Sequence, residues 1–128
     1  PVVDEPLDLF YSVLMKIARQ NPSEIIVVIN GPKNEGLENL CVDFNRNLPI
    51  CFTPIQHYYT PVAGKRNGIR VAMEHINPNS DITVLVDSDT VWTEDTLSEL
   101  LKPFACDQKI RHSWDFTKKY PMTEASQT

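Results

Sequence analysis

Two aspartates separated by one residue are the side chains of this sequence best placed to do chemistry. Asp87 and Asp89 follow an apolar run, residues 82–86, so both carboxylates can lie at the edge of a sheet rather than beneath it. Carboxylates this close repel each other unless a cation joins them. A hard divalent ion such as Mg²⁺ or Mn²⁺ does so and keeps positions open for phosphate oxygens. The spacing alone also fits a plain turn in which the two residues only cap Thr90.

A short basic segment opens a predicted helix. Gly64, Lys65 and Arg66 combine a flexible turn, two cations and the free N–H groups of a helix N-terminus, and such an arrangement can hold an anion. The alternative is a solvated helix face made by Arg66 and Arg70, four residues apart. Phosphate binding at this segment is therefore one of two interpretations that the spacing permits.

Three aromatic side chains precede the basic segment. His57, Tyr58 and Tyr59 fall in a predicted loop, where they could stack on a base or a sugar or serve only the fold. No histidine of the chain has metal-ligand spacing with a cysteine, and G-x-S-x-G, H-E-x-x-H, Walker and G-x-G-x-x-G patterns are absent from the sequence. Chemistry is therefore expected at the two aspartates and the basic segment.

The hydrophobic pattern indicates the elements that position these residues. Apolar residues at three- and four-residue steps predict helices, and β-branched runs predict strands at residues 24–30, 50–53 and 82–87. Strands that alternate with helices imply right-handed crossovers and a mostly parallel sheet covered on both faces. The predicted fold class is therefore α/β. Ligands of such sheets bind at the carboxyl ends of the strands, which here are Asn30 and the turn that holds the two aspartates.

The composition describes one soluble domain. The chain has 128 residues, of which 41% are hydrophobic and 23% charged, so it can bury roughly two-thirds of its unfolded surface. Its formal net charge of −5 argues against a nonspecific grip on nucleic acid. No apolar run approaches the length of about 20 residues that a membrane-spanning helix needs, and no signal segment opens the chain. We therefore expect a soluble, cytoplasmic domain.

The cysteines indicate reduced thiols rather than a disulfide framework. Cys41, Cys51 and Cys106 are odd in number and show no C-x-x-C spacing, which supports neither paired disulfides nor a zinc ribbon. We expect them to be reduced and mostly buried, as small hydrophobic residues.

Taken in order, the motifs resemble those of a known family. The sequence reads PVVDEP at its start, then IIVVING at residues 25–31, GKR at residues 64–66 and VDSDT at residues 86–90. This order resembles the nucleotide-sugar-binding half of family 2 glycosyltransferases, and the GKR and VDSDT motifs are most similar to the hyaluronan, chitin and cellulose synthase branch. The resemblance covers roughly residues 1–107 and implies a GT-A-like, Rossmann-like sheet that is truncated here.

The resemblance implies where the nucleoside of a donor would bind. Val3, Asp4 and Glu5 fall on the segment that lines the base and the ribose in the family, and Val3 replaces an aromatic residue there. Asn30 falls where the family has an acidic residue that contacts the uracil or the ribose. Its amide can still hydrogen-bond a base edge, although it cannot act as a charged acceptor.

The same resemblance assigns the diphosphate and metal ligands. Lys65, with Arg66 beside it, falls on the family lysine near the donor diphosphate. Asp87 and Asp89 match the D-x-D pair, in which the second aspartate is the direct ligand of Mn²⁺ or Mg²⁺ and the first contacts the nucleotide. The implied nucleotide-sugar-binding residues are Val3, Glu5, Asn30, Lys65, Arg66, Asp87 and Asp89.

The later family motifs have no match in this sequence. Neither the acidic motif that supplies the catalytic base nor the Q-x-x-R-W acceptor motif follows Asp89. Asp115 and Glu124 are the only carboxylates after Asp107, and neither has a recognisable context. We therefore predict a nucleotide-sugar-binding domain at residues 1–110, and a tail or remnant of the acceptor half at residues 111–128. The catalytic base stays unassigned, and the chain alone is expected to lack transferase activity.

The implied activity is metal-dependent, inverting transfer of a sugar from a nucleotide diphosphate donor, a UDP-sugar, to a glycan acceptor. Two alternatives remain open. One is a haloacid-dehalogenase-type phosphatase with Asp87 as nucleophile and Asp89 as acid and base, and the other is a non-catalytic nucleotide-binding module. No nucleic-acid partner is expected, and membrane contact would come only through segments outside this sequence.

Overall fold

The computed structural model describes residues 1–106, and the predicted tail at residues 111–128 lies outside them. Four helices and two strands are formed, in the order α1 Leu7–Ala18, β1 Ile25–Asn30, α2 Glu35–Asn47, β2 Ile55–Thr60, α3 Lys65–Glu74 and α4 Thr96–Cys106. The two strands pair in parallel, with Ile25 opposite Ile55 and Asn30 opposite Thr60. The predicted α/β class with a parallel sheet is therefore confirmed for the described residues.

Helix α1 forms because its apolar residues share one face. Phe10, Val13 and Leu14 are all buried on that face, and the first turn closes with a hydrogen bond from Phe10 N–H to the Pro6 carbonyl at 3.0 Å. Proline suits this end of a helix because the first turn has no use for its missing N–H. The helix stops before Asn21, whose φ of 55° is left-handed.

Strand β1 is the centre of the core. Its residues are buried almost throughout, as expected for a strand with helices on both faces. Helix α1 packs on α2, and α3 packs on β1. The Tyr11 and Phe44 rings meet edge to face, 5.3 Å apart, where α1 contacts α2. The carboxyl end of β1 is therefore enclosed by packed elements, which hold its last residue in place.

The second strand lies later in the chain than predicted. Residues 50–53 form no strand; Phe52 N–H donates to the Pro49 carbonyl at 3.0 Å in a turn. Strand β2 starts instead at Ile55, whose N–H and carbonyl both bond to the side chain of Asn45 at 2.8 Å. An α2 side chain thus fixes where pairing begins, and a local pattern of apolar residues cannot reveal such a contact.

The predicted loop of aromatic residues is also part of β2. His57, Tyr58 and Tyr59 lie within its bounds, and the Tyr58 ring stacks on His75 with centroids 3.7 Å apart. The prediction that these residues form a loop is therefore wrong.

Residues 82–87, predicted as a strand, make no backbone ladder with β1 or β2. The place beside β1 is held at one end by the start of the chain. Val2 N–H donates to the Val28 carbonyl at 2.8 Å, and Asn30 N–H donates to the Val2 carbonyl at 3.0 Å. A cavity separates residues 82–87 from β1. The β-branched pattern of this segment predicts an extended conformation, but it does not determine with which strand the segment pairs.

The cysteine prediction is right for one residue and wrong for another. Cys41 is fully buried, and burial, with the charge of Glu38, raises the pKa of its thiol to about 11. Cys51 is free and exposed. The side chain of Cys106 lies outside the described part of the structure. Among the described helices, none combines the length and apolar character needed to cross a membrane.

Candidate functional site

The carboxyl end of the sheet brings the two predicted chemical features together. Helix α3 begins at Lys65, shortly after β2 ends, and Lys65 Nζ lies 2.6 Å from Asp87 Oδ1. The turn after Asp87 is closed by a 3.1 Å hydrogen bond from Thr90 N–H to the Asp87 carbonyl. We call the cluster of Glu5, Asn30, Lys65, Asp87 and Asp89 the carboxyl-end site.

The Lys65–Asp87 ion pair is a contact that a ligand can replace. The two side chains are 60% and 32% exposed, and ion pairs at such exposure contribute about 0–1 kcal/mol because water competes for both charges. Exchange of the carboxylate for a phosphate oxygen therefore costs the fold little. In this arrangement the lysine already lies beside the D-x-D motif that the sequence analysis treated separately.

Glu5 and Ser88 join the start of the chain to the D-x-D turn. Ser88 Oγ donates to Glu5 Oε1 at 2.8 Å in a partly buried contact. The role of Ser88 had no sequence signal of its own, because a serine between two aspartates is common in turns. The contact holds the turn from one side while Lys65 holds it from the other.

The surroundings of Asp89 differ from those of Asp87. Its side chain is exposed, and among residues 1–106 no hydrogen bond or ion pair is recorded for its carboxylate. Asp87 is held by Lys65, so the two carboxylates of the motif are distinct. Asp89 is therefore the more available of the two to a ligand from solution.

Asn30 is the buried member of the carboxyl-end site. It is 0% exposed, and its Nδ2 donates to the Gly64 carbonyl at 2.8 Å. Its Oδ1 is buried with no partner among the described residues. The contact ties the end of β1 to the turn that starts α3, so Asn30 positions the backbone before Lys65.

Gly68 allows α3 to pack closely against Pro1 and Asn30. A Cβ added there would lie 2.6 Å from Pro1 Cβ and 3.4 Å from Asn30 Cγ, and the first distance is a clash. Burial, and secondly the charge of Lys65, lower the pKa of the Pro1 amino group, while Asp87 opposes the shift. The start of the chain is thus packed between α3 and the end of β1.

The remaining predicted residues lie at the surface nearby. Val3 is 43% exposed, and a Cβ added at Gly31 would lie 3.6 Å from its Cγ1. Arg66 is exposed. Tyr59, which the sequence analysis placed in a loop and not at this site, donates its hydroxyl to the Gly31 carbonyl at 2.9 Å. Its place at the end of β2, one residue before Thr60, would have pointed to the carboxyl end of the sheet.

Asp87 and Asp89 fit a metal ion whose remaining ligands come from a bound diphosphate. Within residues 1–106 no cluster of three or more His, Cys, Asp or Glu side chains could hold a metal ion. Mg²⁺ is commonly held by one or two carboxylates together with substrate phosphates. Asp87 and Asp89 supply two hard oxygen ligands of this kind, so the residues fit such an ion and do not form a closed site by themselves.

Replacing Asn30 by aspartate tests its buried position. We expect Asn30→Asp to lower the free energy of unfolding by more than about 3 kcal/mol at pH 7, because it removes the donor to Gly64 and buries a charge. Burial raises the pKa of the introduced carboxyl, so the loss shrinks as the pH falls and that group takes up its proton. Urea denaturation at pH 7 and pH 4 measures both effects.

The matched control for this substitution is Asn47→Asp. Asn47 is exposed and donates to the Asp43 carbonyl at 2.9 Å, so the same chemical change there leaves the new carboxylate in water. We expect the control to cost no more than about 1 kcal/mol. Equal losses for the two variants would contradict the buried placement of Asn30.

Comparison with known proteins decides the family. The model described as "Glycosyltransferase like family 2" matches residues 5–113, which is most of the chain. The chain belongs to this glycosyltransferase family. The resemblance inferred from its motifs is therefore confirmed, as is its class as a glycosyltransferase-like domain. Members of this family are generally metal-dependent, whereas the phosphatase interpretation gains no support from the match.

The curated relatives that the chain resembles are hyaluronan synthases. The chain is 36% identical over 83 residues to the hyaluronan synthases of Streptococcus pyogenes, including those of serotypes M1 and M18. The aligned part covers 64% of this chain and 19% of each synthase, so the chain spans about a fifth of the length of these family 2 relatives. No solved structure matches.

Proposed function

We propose that this family 2 domain binds a nucleotide diphosphate sugar, a UDP-sugar, for transfer to a glycan acceptor with inversion at the anomeric carbon. The observation that carries the proposal is the 2.6 Å contact between Lys65 Nζ and Asp87 Oδ1. It brings a phosphate-binding cation and the D-x-D motif to one point at the carboxyl end of a parallel sheet. Ligands of α/β sheets bind at such ends.

The proposed phosphate-binding residues are Lys65 and Arg66. Both stand in the first turn of α3, where backbone N–H groups and the helix dipole also favour an anion. When a diphosphate arrives, Lys65 exchanges Asp87 for a phosphate oxygen. The exchange releases Asp87 to contact the ligand. Because the ion pair is exposed, breaking it costs little free energy.

The proposed metal ligands are Asp89 and Asp87, and the proposed ion is Mn²⁺ or Mg²⁺. A divalent cation supplies charge neutralisation for the leaving diphosphate when it is bound. Asp89 is exposed and can bind from solution. Asp87 becomes available after Lys65 has moved to the phosphate and also contacts the nucleotide.

The nucleoside side of the proposed site is formed by Val3 and Glu5. Val3 offers an exposed apolar surface beside Gly31, and Glu5 accepts from Ser88, so it can orient the turn as well as meet the ribose. Asn30, proposed from the resemblance as a direct ligand, is enclosed. We assign it the role of holding the Gly64 turn under the nucleotide.

The proposed acceptor is a growing polysaccharide, since the relatives carry the name hyaluronan synthase. We further propose that the domain works on the cytoplasmic side of a membrane and reaches that membrane through segments outside this sequence. Neither proposal requires a nucleic-acid partner.

A non-catalytic nucleotide-binding role is the second candidate, and a specific observation favours it. The acidic motif that supplies the catalytic base in the family has no match after Asp89 in this sequence, and Asp115 and Glu124 lie outside the described residues. A general base typically contributes about 10²–10⁴-fold in rate. A chain without one can bind a donor and still transfer nothing.

Incubating the purified chain with radiolabelled UDP-sugars, Mn²⁺ and a panel of oligosaccharide acceptors separates these candidates. We expect donor binding without elongation, because the sequence has no match to the family's Q-x-x-R-W acceptor motif, and transfer requires the attacking hydroxyl to be held in line. Elongation that disappears in Asp115→Asn or Glu124→Gln would show that the chain carries its own base. Absence of donor binding under all metal conditions would contradict both candidates.

A further inference from the structure

A short segment, residues 89–93, connects the D-x-D turn to the start of α4. Buried and exposed side chains alternate along it: Thr90 and Trp92 are 3% and 4% exposed, whereas Asp89 and Val91 are exposed. Such alternation is typical of an extended chain, whose successive side chains lie on opposite sides. A shift of the 89–93 segment by one residue would therefore turn Asp89 inward. The carboxylate stays at the surface only while this alternation keeps its phase.

The contacts before and within the 89–93 segment fix this phase only in part. Glu5 holds the turn at Ser88, which comes before Asp89, and residues 82–87 form no ladder with β1 or β2. Trp92 packs into the core, but its Nε1 is buried without a partner among residues 1–106. Burial of an unpaired donor is unfavourable. A contact at the far end of the segment is therefore needed to hold it.

The side-chain amide of Gln20, just after α1, makes that contact. Its Nε2 donates to the Thr93 carbonyl at 2.7 Å and to the Lys16 carbonyl at 2.9 Å. Its Oε1 accepts from Leu97 N–H at 2.8 Å, one of the first-turn amides of α4 that have no acceptor within their own helix. Both donors and the acceptor of one amide thus attach the end of the 89–93 segment to α1.

We propose that Gln20 is a positioning residue for the D-x-D motif. By holding the Thr93 carbonyl and the first turn of α4 against α1, it sets the phase of the 89–93 segment and keeps Asp89 at the surface. Gln20 acts through the backbone and contacts neither nucleotide nor metal. Its effect on metal binding rests on the proposed function, whereas its effect on the segment does not.

The first test removes the amide without changing the length of the side chain. Gln20→Met deletes all three hydrogen bonds. Gln56→Met is the matched control on β2, because the Gln56 amide also makes two side-chain contacts, with Glu24 at 3.1 Å and with the Tyr58 hydroxyl at 3.0 Å. Both variants lose the same polar group, but only the first loses it beside the 89–93 segment.

Amide hydrogen exchange without any ligand measures the effect on the segment. Thr90 N–H donates to the Asp87 carbonyl at 3.1 Å, and Ile29 lies inside the ladder of β1 and β2. We expect Gln20→Met to speed exchange at Thr90 by at least about tenfold and to leave Ile29 unchanged, because the opening is local. The control should change neither rate. Unchanged exchange at Thr90, or equal acceleration at both amides, would overturn the proposal.

A pH profile of Gln20→Glu tests the contact with Thr93 itself. A carboxylate can still accept from Leu97 N–H, but it cannot donate to the Thr93 carbonyl until it is protonated. The excess exchange at Thr90, taken relative to the unmodified chain at the same pH, should therefore shrink between pH 7 and pH 4. An excess that does not change with pH would contradict the contact. If Gln20→Met fails to fold, Gln20→Glu, which keeps one of the three bonds, carries the test.

Calorimetric titration with UDP then measures the effect on metal binding. A lower population of the competent segment reduces affinity in proportion, so we expect Gln20→Met to cut the gain in UDP affinity from Mn²⁺ by at least about threefold. Its affinity in a chelator should stay unchanged, and Gln56→Met should keep the full gain. A full gain in Gln20→Met would overturn the positioning role. No gain in the unmodified chain would contradict the proposed function instead, and Thr90 exchange would still decide whether Gln20 holds the segment.

Discussion

Replacing Lys65 by alanine is expected to weaken UDP binding by about ten- to a hundredfold. A charge-assisted hydrogen bond contributes about 1.5–3 kcal/mol, and each 1.4 kcal/mol is about tenfold in Kd. In the proposed complex Lys65 has exchanged Asp87, which it holds at 2.6 Å in the free chain, for a phosphate oxygen. The exposed ion pair costs little to break, so the loss of the phosphate contact sets the size of the effect.

Two controls isolate the phosphate contact. Uridine lacks the diphosphate, so its affinity should change far less than that of UDP in Lys65→Ala. Lys102→Ala removes another exposed lysine, ion-paired with Glu99 at 2.8 Å on α4, and should leave the affinity for UDP unchanged. Equal losses for UDP and uridine, measured by calorimetry in Mn²⁺, would show that Lys65 does not contact phosphate.

The parts of the fold that the sequence predicts are those governed by local pattern. The three- and four-residue spacing of buried residues predicts α1, and the β-branched run predicts β1, because each signal arises from the element's own buried face. The placement of Lys65 at the start of α3 follows from Gly64, whose φ of 106° suits a glycine at a turn. That Lys65 lies near Asp87 follows from the rule that ligand-binding residues collect at the carboxyl ends of parallel strands.

The parts that the sequence does not predict depend on contacts between distant residues. Strand β2 begins where the Asn45 side chain satisfies Ile55, ten residues away, rather than in the apolar stretch at residues 50–53. Residues 82–87 form no ladder with β1, beside which Val2 makes a parallel bridge with Ile29. Asn30 looked accessible at a strand end, but Gly68 allows α3 to cover it.

Replacing Asp89 by alanine is expected to abolish the dependence of UDP affinity on metal. Asp89 is the exposed carboxylate of the D-x-D motif, and Asp87 alone is already engaged by Lys65. A single remaining carboxylate that must first leave a lysine is a poor ligand for a hard cation, which takes up its oxygen donors against strong hydration. The variant should therefore bind UDP equally, and weakly, with Mn²⁺ and with a chelator.

The matched control for this substitution is Asp43→Ala. Asp43 is an exposed aspartate on α2, paired with Arg46 at 3.5 Å, and its loss removes the same charge away from the D-x-D turn. It should leave the metal dependence intact. If Asp43→Ala and Asp89→Ala reduced the metal effect alike, the effect would reflect net charge rather than coordination.

The central claim, that the carboxyl-end site binds a nucleotide diphosphate together with a divalent cation, is tested most directly by calorimetric titration of the unmodified chain with UDP. We predict that the affinity in Mn²⁺ or Mg²⁺ exceeds that in the presence of a chelator by at least about tenfold, or about 1.4 kcal/mol. Equal affinity for UDP with and without metal would contradict the assignment of Asp87 and Asp89.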